Sequence, residues 1–85
     1  MWSDRAWADF TALMDEDLKT AKRIVLMIEE IDRTGNIGGL GKPEPLKGGL
    51  SGYWSRRVNK KDRLVYSIGN GIIEITQCRS HYGDR

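Results

Sequence analysis

A single cysteine, Cys78, and a single histidine, His81, stand among the 85 residues. One cysteine cannot close an internal disulfide, and one of each cannot build a four-ligand zinc site of the usual kind. Apolar runs are equally scarce. Nothing approaches the ~18 consecutive apolar residues that span a bilayer, and no basic start leads into an apolar stretch of the signal-peptide sort. Net charge is small as well, +2 at neutral pH. These absences describe a cytoplasmic, metal-free chain with no membrane contact. The hydrophobic share, 39 %, fills one two-layer core and not two, so residues 1–85 are read as a single domain. A core of this size rarely supplies more than ~3–5 kcal/mol, which favours burial against a partner or a second copy.

What charge there is lies unevenly. Residues 1–41 carry five Lys/Arg against eight Asp/Glu. Residues 42–63 hold seven cations (Lys42, Lys47, Arg56, Arg57, Lys60, Lys61, Arg63) against Glu44 and Asp62, a local charge of +5. A basic block that also contains Tyr53 and Trp54 suggests a polyanionic partner.

Ser3 is a helix N-cap with Asp4 in the first turn, and Ala6, Trp7, Phe10, Leu13 and Met14 recur at helical spacing. Asp15-Glu16-Asp17 interrupts that helix. A second follows, with Leu18, Ala21, Ile24, Val25, Ile28 and Ile31 on one stripe and a stop at Gly35; Leu26 falls on another face. Residues 1–34 are therefore the helical part. Residues 35–52 hold seven of the ten glycines and both prolines, which predicts a long loop carrying Glu44. Loops of that length in small domains are more often functional than idle. Three strand-like runs follow within residues 53–82: Tyr53–Val58, Arg63–Ile68 and Ile72–Ser80. Asn59–Asp62 and Gly69–Gly71 connect them as hairpins. The fold class is α+β, two N-terminal helices packed on one face of a small antiparallel sheet.

Familiar motifs fail. Gly41-Lys42 lacks the earlier glycine of a phosphate-binding loop, with Asn36 in its place, and Pro43 replaces the Ser/Thr. Cys78 sits in a strand as a small core residue. The remaining chemistry suits cleavage of RNA by its own 2′-OH. That reaction needs a base, an acid for the leaving 5′-oxygen, and cations for the transition-state charge. Glu44 offers a carboxylate, His81 a group that titrates near neutrality, and Arg57 and Arg63 permanent forked cations. Arg57 and Arg63 flank one hairpin turn and so lie near one end of the sheet, the end towards which His81 and Tyr82 emerge. Plain structural accounts stand beside these: a solvated His81 and Glu44, arginines paired with Asp62 or Glu74, and Tyr53, Trp54 and Tyr66 as core or dimer contacts.

The stretches Lys42-Pro43-Glu44-Pro45-Leu46-Lys47 and Leu50-Ser51-Gly52-Tyr53-Trp54-Ser55-Arg56-Arg57 carry a resemblance. With Arg63-Leu64-Val65-Tyr66 and Cys78-Arg79-Ser80-His81-Tyr82, the sequence resembles the YoeB/Txe toxins of bacterial type II toxin–antitoxin systems, within the RelE superfamily. The likeness runs from Trp2-Ser3 to Tyr82. It implies a ribosome-dependent mRNA endonuclease that cuts in the A site of the 70S ribosome and halts translation, without metal or cofactor. It further implies Glu44 as general base, His81 as general acid and Arg63 as main stabiliser of the phosphate charge. Arg57, Lys47 and Tyr82 would support the substrate. The implied partners are a YefM-like antitoxin, a second copy of the chain, and operator DNA through the antitoxin complex alone. Family members begin with a few more apolar residues before the Trp-Ser pair, so either the first strand is cut short here or the start of the sequence is placed late. Gly83-Asp84-Arg85 runs beyond the point where relatives often stop. Two rival readings keep less: a ParE-like toxin that binds a DNA-processing protein, which the Glu44, Arg63 and His81 set argues against, and a non-catalytic nucleic-acid-binding module using the basic block alone.

Overall fold

The computed structural model describes residues 1–37 and 39–79. Ser3 caps helix α1 (Asp4–Glu16), its hydroxyl oxygen accepting from the Ala6 amide at 3.1 Å. Asp17 serves both helices. Its own amide donates to Leu13 O, ending α1, while its carboxylate accepts from the amide and the hydroxyl of Thr20, starting α2 (Leu18–Thr34). Those Thr20 bonds hold the Asp17 carboxyl below its ordinary range. Gly35 closes α2 with φ 67° and its amide on Ile31 O.

A four-stranded antiparallel sheet follows in chain order: β1 (Glu44–Pro45), β2 (Trp54–Arg57), β3 (Arg63–Gly69) and β4 (Ile72–Gln77). The β3–β4 hairpin turns on Asn70 (φ 53°) and Gly71 (φ 73°), the Asn-Gly pair whose left-handed angles match strand twist. The β2–β3 turn is organised by Asn59, whose side-chain oxygen accepts from the amides of Lys61 and Asp62.

The expected α+β architecture is the observed one. The helices contribute Ala6, Phe10, Leu13, Ala21, Ile24, Met27 and Ile31 to the core, and the sheet contributes Leu64, Tyr66 and Ile75. Several details differ from the sequence reading. The buried stripe of α2 runs through Ile24, Met27 and Ile31, while Leu18 and Val25 sit at its exposed rim. Trp7 and Met14 are half exposed on α1. The run expected over Ile72–Ser80 is β4 and ends at Gln77, where Cys78 turns inward and its thiol donates to Ala6 O at 3.5 Å. Residues 35–52 are more than loop: Glu44-Pro45 pair with Ser55 and Trp54, and Gly48–Leu50 form one 3₁₀ turn. Pro45 is tolerated there because β1 is an edge strand.

At the N-terminus one parallel bridge sets Trp2 beside Ile75. Ser3 N donates to Ile75 O at 2.8 Å, and Ile75 N donates to Met1 O. The Trp2 ring packs 4.8 Å from Phe10, centroid to centroid, an aromatic contact beside the backbone bridge. No helix of the described residues is long and apolar enough to cross a membrane.

One backbone contact ties the glycine-rich segment to β2. Gly41 has φ 77°, and its carbonyl accepts from Arg57 N at 2.8 Å. A Cβ there would stand 2.6 Å from Arg57 O and 2.9 Å from both Arg57 N and the Met27 methyl carbon. Gly41→Ala is therefore expected to lower the urea-unfolding free energy by more than the ~1–2 kcal/mol of a left-handed non-glycine residue, because rigid backbone must move as well. An unchanged midpoint would remove the clamp.

Candidate active site

Strand register sorts the residues of β2 between two faces. Arg56 turns towards the helices, and Ser55 and Arg57 towards the helix-free face, since neighbours along a strand alternate. Glu44 pairs across with Ser55, and Arg57 with Arg63. Cross-strand partners share a face, so Glu44, Ser55, Arg57 and Arg63 gather on the open side at one end of the sheet.

Their contacts are direct. Arg63 Nη2 donates to Glu44 Oε1 at 2.8 Å, and Arg63 Nε donates to Ser55 Oγ at 3.2 Å. Both members of the ion pair face solvent in part, the Arg63 side chain 36 % exposed and that of Glu44 58 %, whereas Ser55 lies buried beneath them. Arg57 is exposed, with its backbone held by Gly41. Chemically the cluster offers a solvated carboxylate, one oriented guanidinium, and a second cation opposite it.

Of the other expected residues, Lys47 is exposed at the start of the 3₁₀ turn, just beyond β1. Among the described residues it joins neither the Glu44–Arg63 pair nor the Ser55 bond. His81 and Tyr82, with Gly83–Arg85, lie outside the described residues. The end of β4 is nonetheless fixed. Gln77 pairs with Val65, two residues from Arg63, through a bulge that skips Thr76. Beyond it, the Cys78 thiol bonds Ala6 O and Arg79 meets Glu16 at 3.4 Å. Burial, reinforced by the Asp9 and Asp62 carboxylates, pushes the Cys78 thiol up to about 12, so it is no nucleophile.

Arg56 corrects the charge reading. It counted towards the basic block, yet it is fully buried. Its guanidinium donates to Glu30 Oε1 (2.6 Å), Leu40 O (3.0 Å), Gly35 O (2.9 Å) and the Tyr66 hydroxyl (3.1 Å). The Tyr66 hydroxyl in turn donates to Asn36 Oδ1 at 2.7 Å. Arg56 thus offers no charge to a partner and holds the start of the glycine-rich segment. Ser55 went unnoticed in the sequence. The available signal was parity, two residues before Arg57 in the same strand.

A cleft of about 430 Å³ lies elsewhere, among Met1, Trp2, Ile28, Glu29, Asp32 and Ile73, and none of the described candidate residues lines it. Among the described residues no group of three or more His, Cys, Asp or Glu side chains gathers to hold a metal ion.

Comparison with known proteins supplies the family. The family model for the YoeB-like toxin of bacterial type II toxin–antitoxin systems matches residues 2–82. Toxin RelK of Mycobacterium tuberculosis is 49 % identical over 77 residues, which cover 91 % of this chain and 89 % of that one. The YoeB–YefM complex from Staphylococcus aureus superposes with a TM-score of 0.92 at 40 % identity, covering 96 % of this chain and 94 % of that one. The YoeB dimer from the same organism gives 0.88 at 41 % identity, with the same coverage. With the family model matched over nearly the whole chain, this chain belongs to the family of YoeB-like toxins of bacterial type II toxin–antitoxin systems.

Proposed function

We propose that this toxin is a ribosome-dependent mRNA endonuclease that cleaves mRNA in the A site of the 70S ribosome by 2′-OH attack. The observation that carries the reading is the Glu44–Arg63 ion pair, 2.8 Å long, on the helix-free face with Arg57 opposite Arg63. A base and a phosphate-binding fork lie within one phosphodiester of each other. Like charges directly opposite on a sheet repel, and the polyanionic substrate relieves that repulsion.

In the substrate-free chain the carboxylate occupies Arg63. An incoming scissile phosphate takes over the guanidinium, and the released Glu44 accepts the 2′-OH proton. The 2′-oxygen attacks phosphorus, Arg63 and Arg57 neutralise the developing charge, and His81 protonates the departing 5′-oxygen. The products are a 2′,3′-cyclic phosphate and a free 5′-OH. Lys47 and Tyr82 support the substrate strand. A ribosome would supply the orientation that so small a site lacks. The S. aureus relatives were solved with YefM and as a dimer, which supports a YefM-like antitoxin and self-association as partners here. DNA contact is assigned to the antitoxin complex, and the location to the cytoplasm.

Primer extension on a defined mRNA, with programmed ribosomes, tests the reading. Cleavage is expected at the A-site codon, only in the presence of ribosomes, and lost in Glu44→Gln and His81→Gln. Intact mRNA with folded wild-type protein, alongside arrested growth in cells, would transfer the toxin to a binding mechanism.

A further inference from the structure

Ser55 is 1 % exposed, in a strand position that a β-branched apolar residue would fill better. A buried hydroxyl without a partner is costly, and Arg63 Nε, at 3.2 Å, is the partner it has. The guanidinium carries five N–H donors. One goes to Ser55 and one to Glu44; the other three make no hydrogen bond within the described residues. These two bonds differ in fate. In the mechanism proposed above the Glu44 contact opens when phosphate arrives, and the Ser55 contact has no reason to. The Nε bond therefore sets the plane of the fork while its outer edge changes partners.

We propose that Ser55 is a positioning residue for the cleavage reaction, fixing the roll of the Arg63 guanidinium through Nε so that its remaining N–H groups meet the scissile phosphate. The inference rests on the endonuclease reading. It predicts an effect on the chemical step and none on ribosome binding, because Ser55 is beneath the surface and touches no partner.

Ser55→Ala is nearly isosteric and leaves the ion pair intact. At saturating programmed ribosomes its cleavage rate should fall about tenfold, the effect of losing one hydrogen bond to a charged group, with half-saturation unchanged. Hydrogen exchange at Arg63 Nε, followed by ¹⁵N NMR of the free protein, should accelerate in the variant. The same substitution in an Arg63→Lys background should add nothing, since lysine has no N–H at that position. Equal rates for wild type and Ser55→Ala overturn the inference. So does an undiminished loss in the lysine background, or an Nε–H that exchanges equally fast in both proteins. If the wild-type chain fails to cut in the same assay, the endonuclease reading falls, whereas cutting without a serine effect removes the positioning role alone.

Discussion

Arg63→Ala should lower single-turnover cleavage on programmed ribosomes by roughly 10²–10³-fold, the loss that follows removal of one preorganised transition-state donor. Arg63 is a partly exposed cation whose side-chain hydrogen bonds among the described residues go to Glu44 and Ser55. Partly exposed ion pairs contribute only about 0–1 kcal/mol to folding, so the variant should unfold at nearly the wild-type urea concentration. Such a large chemical effect with so small a structural one is the signature of a reacting-centre cation. Arg63→Lys should fall between the two, since it keeps the charge and loses the fork and its Nε anchor. Cleavage by Arg63→Ala within a few-fold of wild type would remove Arg63 from the transition state.

Arg56→Ala should behave in the opposite way, through stability first. Removing the buried partner of an ion pair costs up to about 3–5 kcal/mol, a large share of what a domain of this size has; here the Arg56 side chain is fully buried and that of Glu30 mostly so. The carbonyls of Gly35 and Leu40 and the Tyr66 hydroxyl lose a donor or partner together. The Arg56 hydrogen bond also holds the Glu30 carboxyl below its usual range, with the Leu40 amide helping and burial opposing. A depressed folded pKa means that this stabilisation is complete above the unfolded carboxylate's pKa and fades as pH falls through the folded one. Urea midpoints measured from neutral into acid should therefore decline more steeply for wild type than for Glu30→Gln. An Arg56→Ala midpoint close to wild type, or parallel acid limbs, would show the network to be incidental.

Arg56 and Arg57 also mark where sequence reading reached its limit. Both counted as members of one basic block, because composition treats cations alike. Only strand parity separates them, one to the helix side and one to the open face, and parity depends on a register that pairing partners impose. Ser55 was hidden for the same reason. Met27 replaced Val25 in the core because a stripe read from spacing can be rotated by a residue about the helix axis. Glu44-Pro45 carries no strand signal of its own, being two residues with a proline inside and another just before, and becomes a strand only against Trp54 and Ser55. What did read through was local: the caps at Ser3 and Gly35, the Asn70-Gly71 turn, and the hairpin that brings Arg57 opposite Arg63. Those features depend on neighbours in the chain, so the sequence displays them directly.

The Cys78 thiol has a use outside the chemistry. Buried against Ala6 O and scarcely ionised at neutral pH, it meets a disulfide reagent only when the seam around it opens. At high reagent concentration the labelling rate becomes the rate at which that seam opens. One native sulfur thus serves as a clock for breathing of the fold. The slowing of that clock by any bound protein measures how firmly the protein keeps the seam shut.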